Sequence, residues 1–207
     1  MTHLTLVRHG TTQWMERGRL HGISDSPLSE RGLQEAHRVA KRLAGEPFDA
    51  FYTSPLGRAR QTAEIIGEAI GLEPVPLEGL RELDFGWMEG GPTFDFSKDA
   101  PLKRVLRSAW IESLVRLTGE PRPRFIRRVA ETVKQIVERH PEGRVLIVTH
   151  SAVHSNLLGY FLHGDPSAWV KYDGWAPCAI TELEVTPTGE ARLISLNERE
   201  HLSDLKE

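Results

Sequence analysis

Four short stretches carry the side chains best suited to handling an anion. In "LVRHGTTQW", Leu6 to Trp14, Arg8 and His9 follow directly on the strand-like run Leu4-Thr5-Leu6-Val7. Ser54 and, one helical turn on, Arg58 follow a second apolar run; Arg81, Glu82 and Asp84 follow a third; Thr149, His150 and Ser151 follow "RVLIV". An arginine fork matches phosphate oxygens, often through two bonds at once. A histidine at a strand end is open to three uses: a solvated polar residue, an anion ligand, or a nucleophile that attacks phosphorus and becomes phosphohistidine. Cations fixed around the site stabilise the charge on a transferring phosphoryl group. A carboxylic acid on the leaving-group side gives up a proton and then, as carboxylate, activates water. Glu82 fits that alternating role, and Asp84 and Glu89 in the same loop compete for it. Metal binding is the rival use of histidines. The chain has no HEXXH pattern and no Asp-rich cluster after a strand, and arginines beside the histidines repel a cation, so no metal is expected. Glycine-rich nucleotide loops of the GXXXXGK or GXGXXG kind are absent too.

These residues need a frame that brings strand ends together. Leu4 to Val7 reads as a buried first strand, and Thr11 to Pro27 mainly as loop. Ser29 caps a helix with Leu33, Ala36, Ala40, Leu43 and Ala44 on one stripe. Residues 48–53 form a second strand. Ser54 suits an N-cap and Pro55 the first helical position of the next helix, which buries Ala59, Ala63, Ile66 and Ile70. Residues 74–77 are a weak third strand. Helices are expected over 98–117, with Leu102, Val105, Leu106, Ala109, Leu114 and Leu117 partly in register, and from Phe125 to Val137. "RVLIVTH" is nearly all apolar, as a central parallel strand covered on both faces should be. A helix from about Ser151 to Leu162 follows, then a hairpin over 179–186 and 190–196. Strands alternating with helices predict a three-layer α/β fold: a mainly parallel open sheet with helices on both faces. Residues 1–207 read as a single domain, with 91–120 a cap or insertion. In such sheets ligands bind beyond the carboxyl ends of the strands, where all four stretches end.

Bulk composition excludes several function classes. A net charge of −3 argues against binding nucleic acid through bulk phosphate attraction. A single cysteine, Cys178, permits no internal disulfide and fits a reducing cytoplasm. Residues 1–10 lack a signal-peptide pattern, and no stretch approaches the roughly 20 apolar residues of a spanning helix. The expected partner is a small phosphomonoester, with neither membrane nor nucleic acid. A homodimer is the base-rate expectation for assembly.

The stretches resemble the histidine phosphatase superfamily in its phosphoglycerate mutase-like branch. "LVRHGTT" resembles its RHG signature, and "GISDSPLSERG" its Gly-x-x-Asp-x-Pro-Leu segment. "YTSPLGRARQTAEII" is similar to its Ser-x-x-x-Arg-x-x-x-Thr-Ala helix start, "LRELDFGWMEG" to its acid-bearing loop, and "VLIVTHSAV" to its second catalytic histidine. The resemblance implies that His9 is the phosphorylated nucleophile, that Arg8, Arg58 and His150 form the phosphate pocket, and that Glu82 is the proton donor. It implies backbone N–H groups near Ser151 on the phosphoryl oxygens, and no cofactor. Several positions depart from the family pattern. Met15 stands where Asn is usual, His21 where Gln is, Ser151-Ala152 where Gly-Gly often is, and Ser155, with His154 beside it, where a basic residue is often found. These departures bear on the substrate, so Trp14, Met15, His21, Gly22 and Ser151 are the candidate substrate-binding positions. His21 is open between a pocket role and a loop-stabilising one. Trp14, Met15, Trp87, Met88 and Trp110 are candidates for an apolar wall, with ordinary packing an equal reading. Asp25 is expected to organise its turn.

The expected activity is metal-independent phosphomonoester hydrolysis through a phosphohistidine on His9. A cofactor-dependent phosphoglycerate mutase is the runner-up. The mutases the chain resembles are longer and carry a Glu-Arg-x-Tyr-Gly-like acid loop, where this chain reads Glu82-Leu83-Asp84-Phe85-Gly86. An inactive phosphate-binding module is the third reading.

Overall fold

The computed structural model describes residues 1–93, 101–164, 172 and 174–205, without the side chains of 101–109. Its strands are β1 (Thr2–Arg8), β2 (Ala50–Thr53), β3 (Val75–Pro76), β4 (Arg144–Thr149), β5 (Ile180–Val185) and β6 (Ala191–Glu198). The helices are α1 (Gln13–Glu16), α2 (Glu30–Leu43), α3 (Gly57–Ile70), α4 (Pro101–Thr118), α5 (Arg122–Arg139) and α6 (Ser151–His163). The strands form one sheet in the order β3-β2-β4-β1-β5-β6. The first four run parallel, and the C-terminal hairpin adds β5 and β6 antiparallel.

Alternation along the strands divides the core in two. Leu4 and Leu6 of β1, with Val145 and Ile147 of β4, face α5 and α6. Val7, Leu146 and Val148 face α2 and α3 on the other side. The chain leaves β1 for one face and β4 for the other, so the crevice between their carboxyl ends is the switch point of the sheet. Register aligns these ends, with Arg8 opposite Thr149 and Thr53 opposite Val148.

Several local expectations are corrected. Ser29 does cap α2, accepting from Gly32 N, but Val39 completes its buried stripe while Ala44 is exposed. The helix placed at Ser54-Pro55 begins at Gly57, with Leu56 as its N-cap. The supposed loop of 11–27 contains the single turn α1, capped by Thr12. In α4, Val115 is buried and Leu117 is 81% exposed, so Leu117 is not part of the packed face. Residues 94–100 of the expected cap lie outside the described residues. What is described of it, the end of α4, docks on the acid-bearing loop: Trp87 N donates to Thr118 Oγ1 (3.3 Å) and Glu120 N to Asp84 O (3.0 Å). Among the described residues, no helix is long and apolar enough to cross a membrane.

Candidate active site

His9 sits just beyond β1, its N–H donating to Thr149 O (2.9 Å). Its ring Nδ1 lies 2.8 Å from Gly10 O. A carbonyl only accepts, so Nδ1 carries the hydrogen and Nε2 keeps its lone pair. Burial, then Arg58 and Arg8, hold His9 well below the usual histidine pKa. The ring is therefore neutral, with one nitrogen tied and the other available to attack.

His150, at the end of β4, places its ring 5.1 Å from that of His9. Its Nε2 lies 2.7 Å from Ser54 Oγ, which accepts from Leu56 N (3.3 Å). Ser54 can therefore give its own hydrogen to Nε2, leaving the His150 hydrogen on Nδ1. No described residue bonds that atom. Burial, then Arg58 and His9, also keep His150 neutral. The residue expected to cap a helix thus orients a histidine.

Arg58 is fully buried. Its Nη1 donates to Ser24 O (3.1 Å) and Asp25 Oδ1 (3.1 Å), and its Nη2 to Gly22 O (2.7 Å). Asp25 also accepts from the Arg58 main-chain N–H, so it organises both its turn and this arginine. Arg8 donates through Nη1 to Trp175 O, and its Nη2 lies 3.8 Å from Met15 Sδ. Neither arginine has a described partner at Nε.

Glu82 is buried, and its carboxylate accepts from Leu83 N (2.8 Å) and Ala152 N (3.3 Å) at the start of α6. Burial raises its pKa, against those bonds and the two arginines. The competing carboxylates are engaged elsewhere. Asp84 accepts from Gly86 N, and Glu89 from Ile23 N (3.0 Å), Ser24 N (2.6 Å) and Phe85 N (2.9 Å). Glu89 thereby ties the loop around Arg58 to the acid-bearing loop.

The remaining candidates divide. Met15 reaches Arg8, whereas Trp14 packs against His21, ring centres 5.3 Å apart. His21 Nε2 bonds Thr12 Oγ1 (2.9 Å), and burial and Arg58 lower its pKa to about 4. Gly22 gives its carbonyl to Arg58, and a Cβ there would lie 1.9 Å from Glu89 Oε1. Ser151 opens α6 and accepts from Ser155 Oγ (3.1 Å). Trp87 and Trp110 are 88% and 59% exposed, and neither is packed into a wall.

Some site-supporting residues gave no signal in the sequence. Glu35 of α2, buried on an otherwise apolar stripe, accepts from Thr11 N (2.8 Å), Thr11 Oγ1 (3.0 Å) and Arg31 Nε (3.0 Å). Arg128 of α5 donates to the carbonyls of Gly79, Arg81 and Glu82 at 2.9–3.3 Å while paired with Glu120. Helical periodicity marks both residues only as surface charges. Among the described residues, no three His, Cys, Asp or Glu side chains form a group that could hold a metal.

With this geometry in place, residues 4–199 match the histidine phosphatase superfamily (branch 1). The chain belongs to that superfamily. A probable phosphoglycerate mutase, GpmB of Yersinia pestis (strain Pestoides F), is 34% identical over 80% of this chain and 79% of that protein. Among solved structures, Bacillus stearothermophilus YhfR is 32% identical, covering 98% of this chain and all of that one with a TM-score of 0.83. Phosphoserine phosphatase from Entamoeba histolytica, in complex with 3-phosphoglyceric acid, is 28% identical over 98% of this chain and 100% of that chain, TM-score 0.79. As a superfamily member the chain is an enzyme of the phosphoglycerate mutase-like kind.

Proposed function

We propose that this superfamily member is a metal-independent phosphomonoester hydrolase. His9 Nε2 attacks phosphorus in line while Arg8, Arg58 and His150 hold the peripheral oxygens. As the P–N bond forms and the ester P–O bond breaks, Glu82 gives its proton to the leaving oxygen. The Glu82 carboxylate then takes a proton from water, whose oxygen attacks phosphorus. The P–N bond breaks, releasing inorganic phosphate and restoring neutral His9.

The observation that carries this reading is the His9 ring. Its hydrogen is fixed on Gly10 O and its pKa is well depressed, so Nε2 stays unprotonated beside two arginines. Support also comes from Glu82, whose raised pKa suits a donor. The phosphoserine phosphatase that shares the fold at 28% identity points the same way. The test is hydrolysis of an aryl phosphate in the presence of a chelator, with trapping of acid-labile phosphoenzyme. His9→Ala should abolish both. Substantial activity retained by a clean His9→Ala preparation sinks the mechanism, and an inert wild type returns the chain to a phosphate-binding module.

The mutase name of the Yersinia relative keeps one alternative in play, in which the phosphoryl group passes to a second hydroxyl instead of water. Robust transfer with bisphosphoglycerate and little hydrolysis would reverse the order.

A further inference from the structure

Residues 175–179 wrap a single arginine. Arg8 O accepts from Cys178 N (2.9 Å), Arg8 N donates to Ala179 O (3.4 Å), and Arg8 Nη1 donates to Trp175 O. The first two bonds continue the edge of the β1–β5 pairing, whose register ends at Val7 opposite Ile180. The third does not. The chain bends out of the extended path at Cys178, whose φ of +54° is uncommon for a residue with a Cβ. The bend returns the Trp175 carbonyl to the guanidinium.

Trp175 is itself fixed on two sides. Its buried indole Nε1 donates to Ser155 Oγ (2.7 Å), and His154 lies edge-on to it at 5.1 Å. Ser155 Oγ in turn faces the carbonyls of Ser151 and Tyr172. From the other side, Asn197 of β6 accepts from Ala176 N (3.0 Å) and donates Nδ2 to Gly174 O (3.3 Å). It pins the residues on either side of Trp175. Asn197 also has a left-handed backbone, φ +52°, with its N–H on Thr181 Oγ1 (2.9 Å).

We propose that Trp175 is a positioning residue for Arg8: its carbonyl sets the guanidinium, Ser155 anchors its indole, and Asn197 holds its backbone from the far edge of the sheet. The proposal rests on Arg8 binding the phosphoryl group, as in the hydrolase reading. It gives Ser155, which replaces a basic side chain of the family pattern, a structural use in place of a ligand contact. It also assigns β6, remote from the reacting atoms, a part in setting the phosphate pocket.

A double-mutant cycle tests it, read as kcat/KM on an aryl phosphate and as inorganic phosphate affinity by calorimetry. Asn197→Gly suits the left-handed backbone while removing the amide. Ser155→Ala and Trp175→Phe remove the indole bond from its two ends. Each should lower kcat/KM and phosphate affinity by about tenfold or more, since small misplacements of a positioned group are costly. In an Arg8→Lys background, which keeps the charge without the fork, the same changes should cost less than about twofold. Asn197→Asp and Ser155→Thr should restore much of the loss. Equal losses in both backgrounds, or single variants that match wild type, overturn the proposal. Should one variant fail to fold, the other two close the cycle. A wild type that binds phosphate but forms no phosphoenzyme overturns the hydrolase reading alone, and the affinity arm still decides the clamp.

Discussion

His9 and Glu82 are both buried, and burial acts on them in opposite directions. It disfavours the charged form of each, so His9 is pushed down and Glu82 up. One environment thus favours the uncharged form of both, which is the pair of states that the proposed nucleophile and acid require. The sign of the pH dependence follows. As pH rises through the raised Glu82 pKa, the donor is lost and kcat/KM falls. Glu82→Gln should remove that alkaline limb. The loss should depend on the leaving group: about 10²–10⁴-fold on an alkyl phosphate, whose alkoxide needs the proton, and much less on a nitrophenyl phosphate. Parallel pH profiles on both esters check it, and equal losses on both would remove Glu82 from the acid role.

The acid-bearing loop, residues 77–92, carries Glu82 but is held by its neighbours. Arg128 of α5 supports three of its carbonyls, and Glu89 ties it to the loop that cradles Arg58. These anchors should separate kinetically. Arg128→Lys loses the fork under Glu82 and should lower kcat with little change in KM. Glu89→Ala releases the Ile23 and Ser24 N–H groups from the acid loop and so loosens the segment whose Gly22 and Ser24 carbonyls hold Arg58, which should raise KM severalfold. Each should cost about 1–3 kcal/mol of stability, read by urea unfolding. Identical kinetic signatures for the two variants would refute the division. The same elements show what the sequence could disclose. Arg8, His9, Arg58 and His150 were legible because each ends a strand or opens the next helix, a local property. The sheet and its helices were legible from periodicity, down to the buried Val129 and Val133 of α5. Arg128, Glu35 and Trp175 were not, because each bonds a group far away in the chain, Trp175 through its own main-chain carbonyl, and no spacing rule encodes such a contact. Ser54 misled for the opposite reason: its N-cap propensity is real, but its hydroxyl lies against His150.

Three buried histidines, His9, His150 and His154, should dominate the molecule's response to acid. His9 and His150 are held well below the usual range and His154 at about 3, burial being the main cause for each. Unfolded, all three would titrate near the ordinary value of about 6.5. Below that pH the unfolded chain binds protons that the folded chain refuses, so stability falls with falling pH. Each group contributes up to about 1.4 kcal/mol per pH unit, or about 4 for the three together. Glu82 and Asp84 oppose them, since a raised folded pKa favours the native state as each protonates, while the depressed His21 and Glu89 act in the same direction as the three buried histidines. Against a total stability of about 5–15 kcal/mol, the molecule should unfold within a few pH units below neutrality. Denaturant titrations from pH 7 to pH 4 should show this slope. His154→Phe keeps a ring edge-on to Trp175 and removes one proton site, so it should flatten the slope by about 1.4 kcal/mol per unit. An unchanged slope would mean that His154 titrates alike in both states. The catalytic consequence is specific: the acid limit of activity should track global unfolding, since the depressed pKa of His9 keeps its ring unprotonated for as long as the fold around it stands.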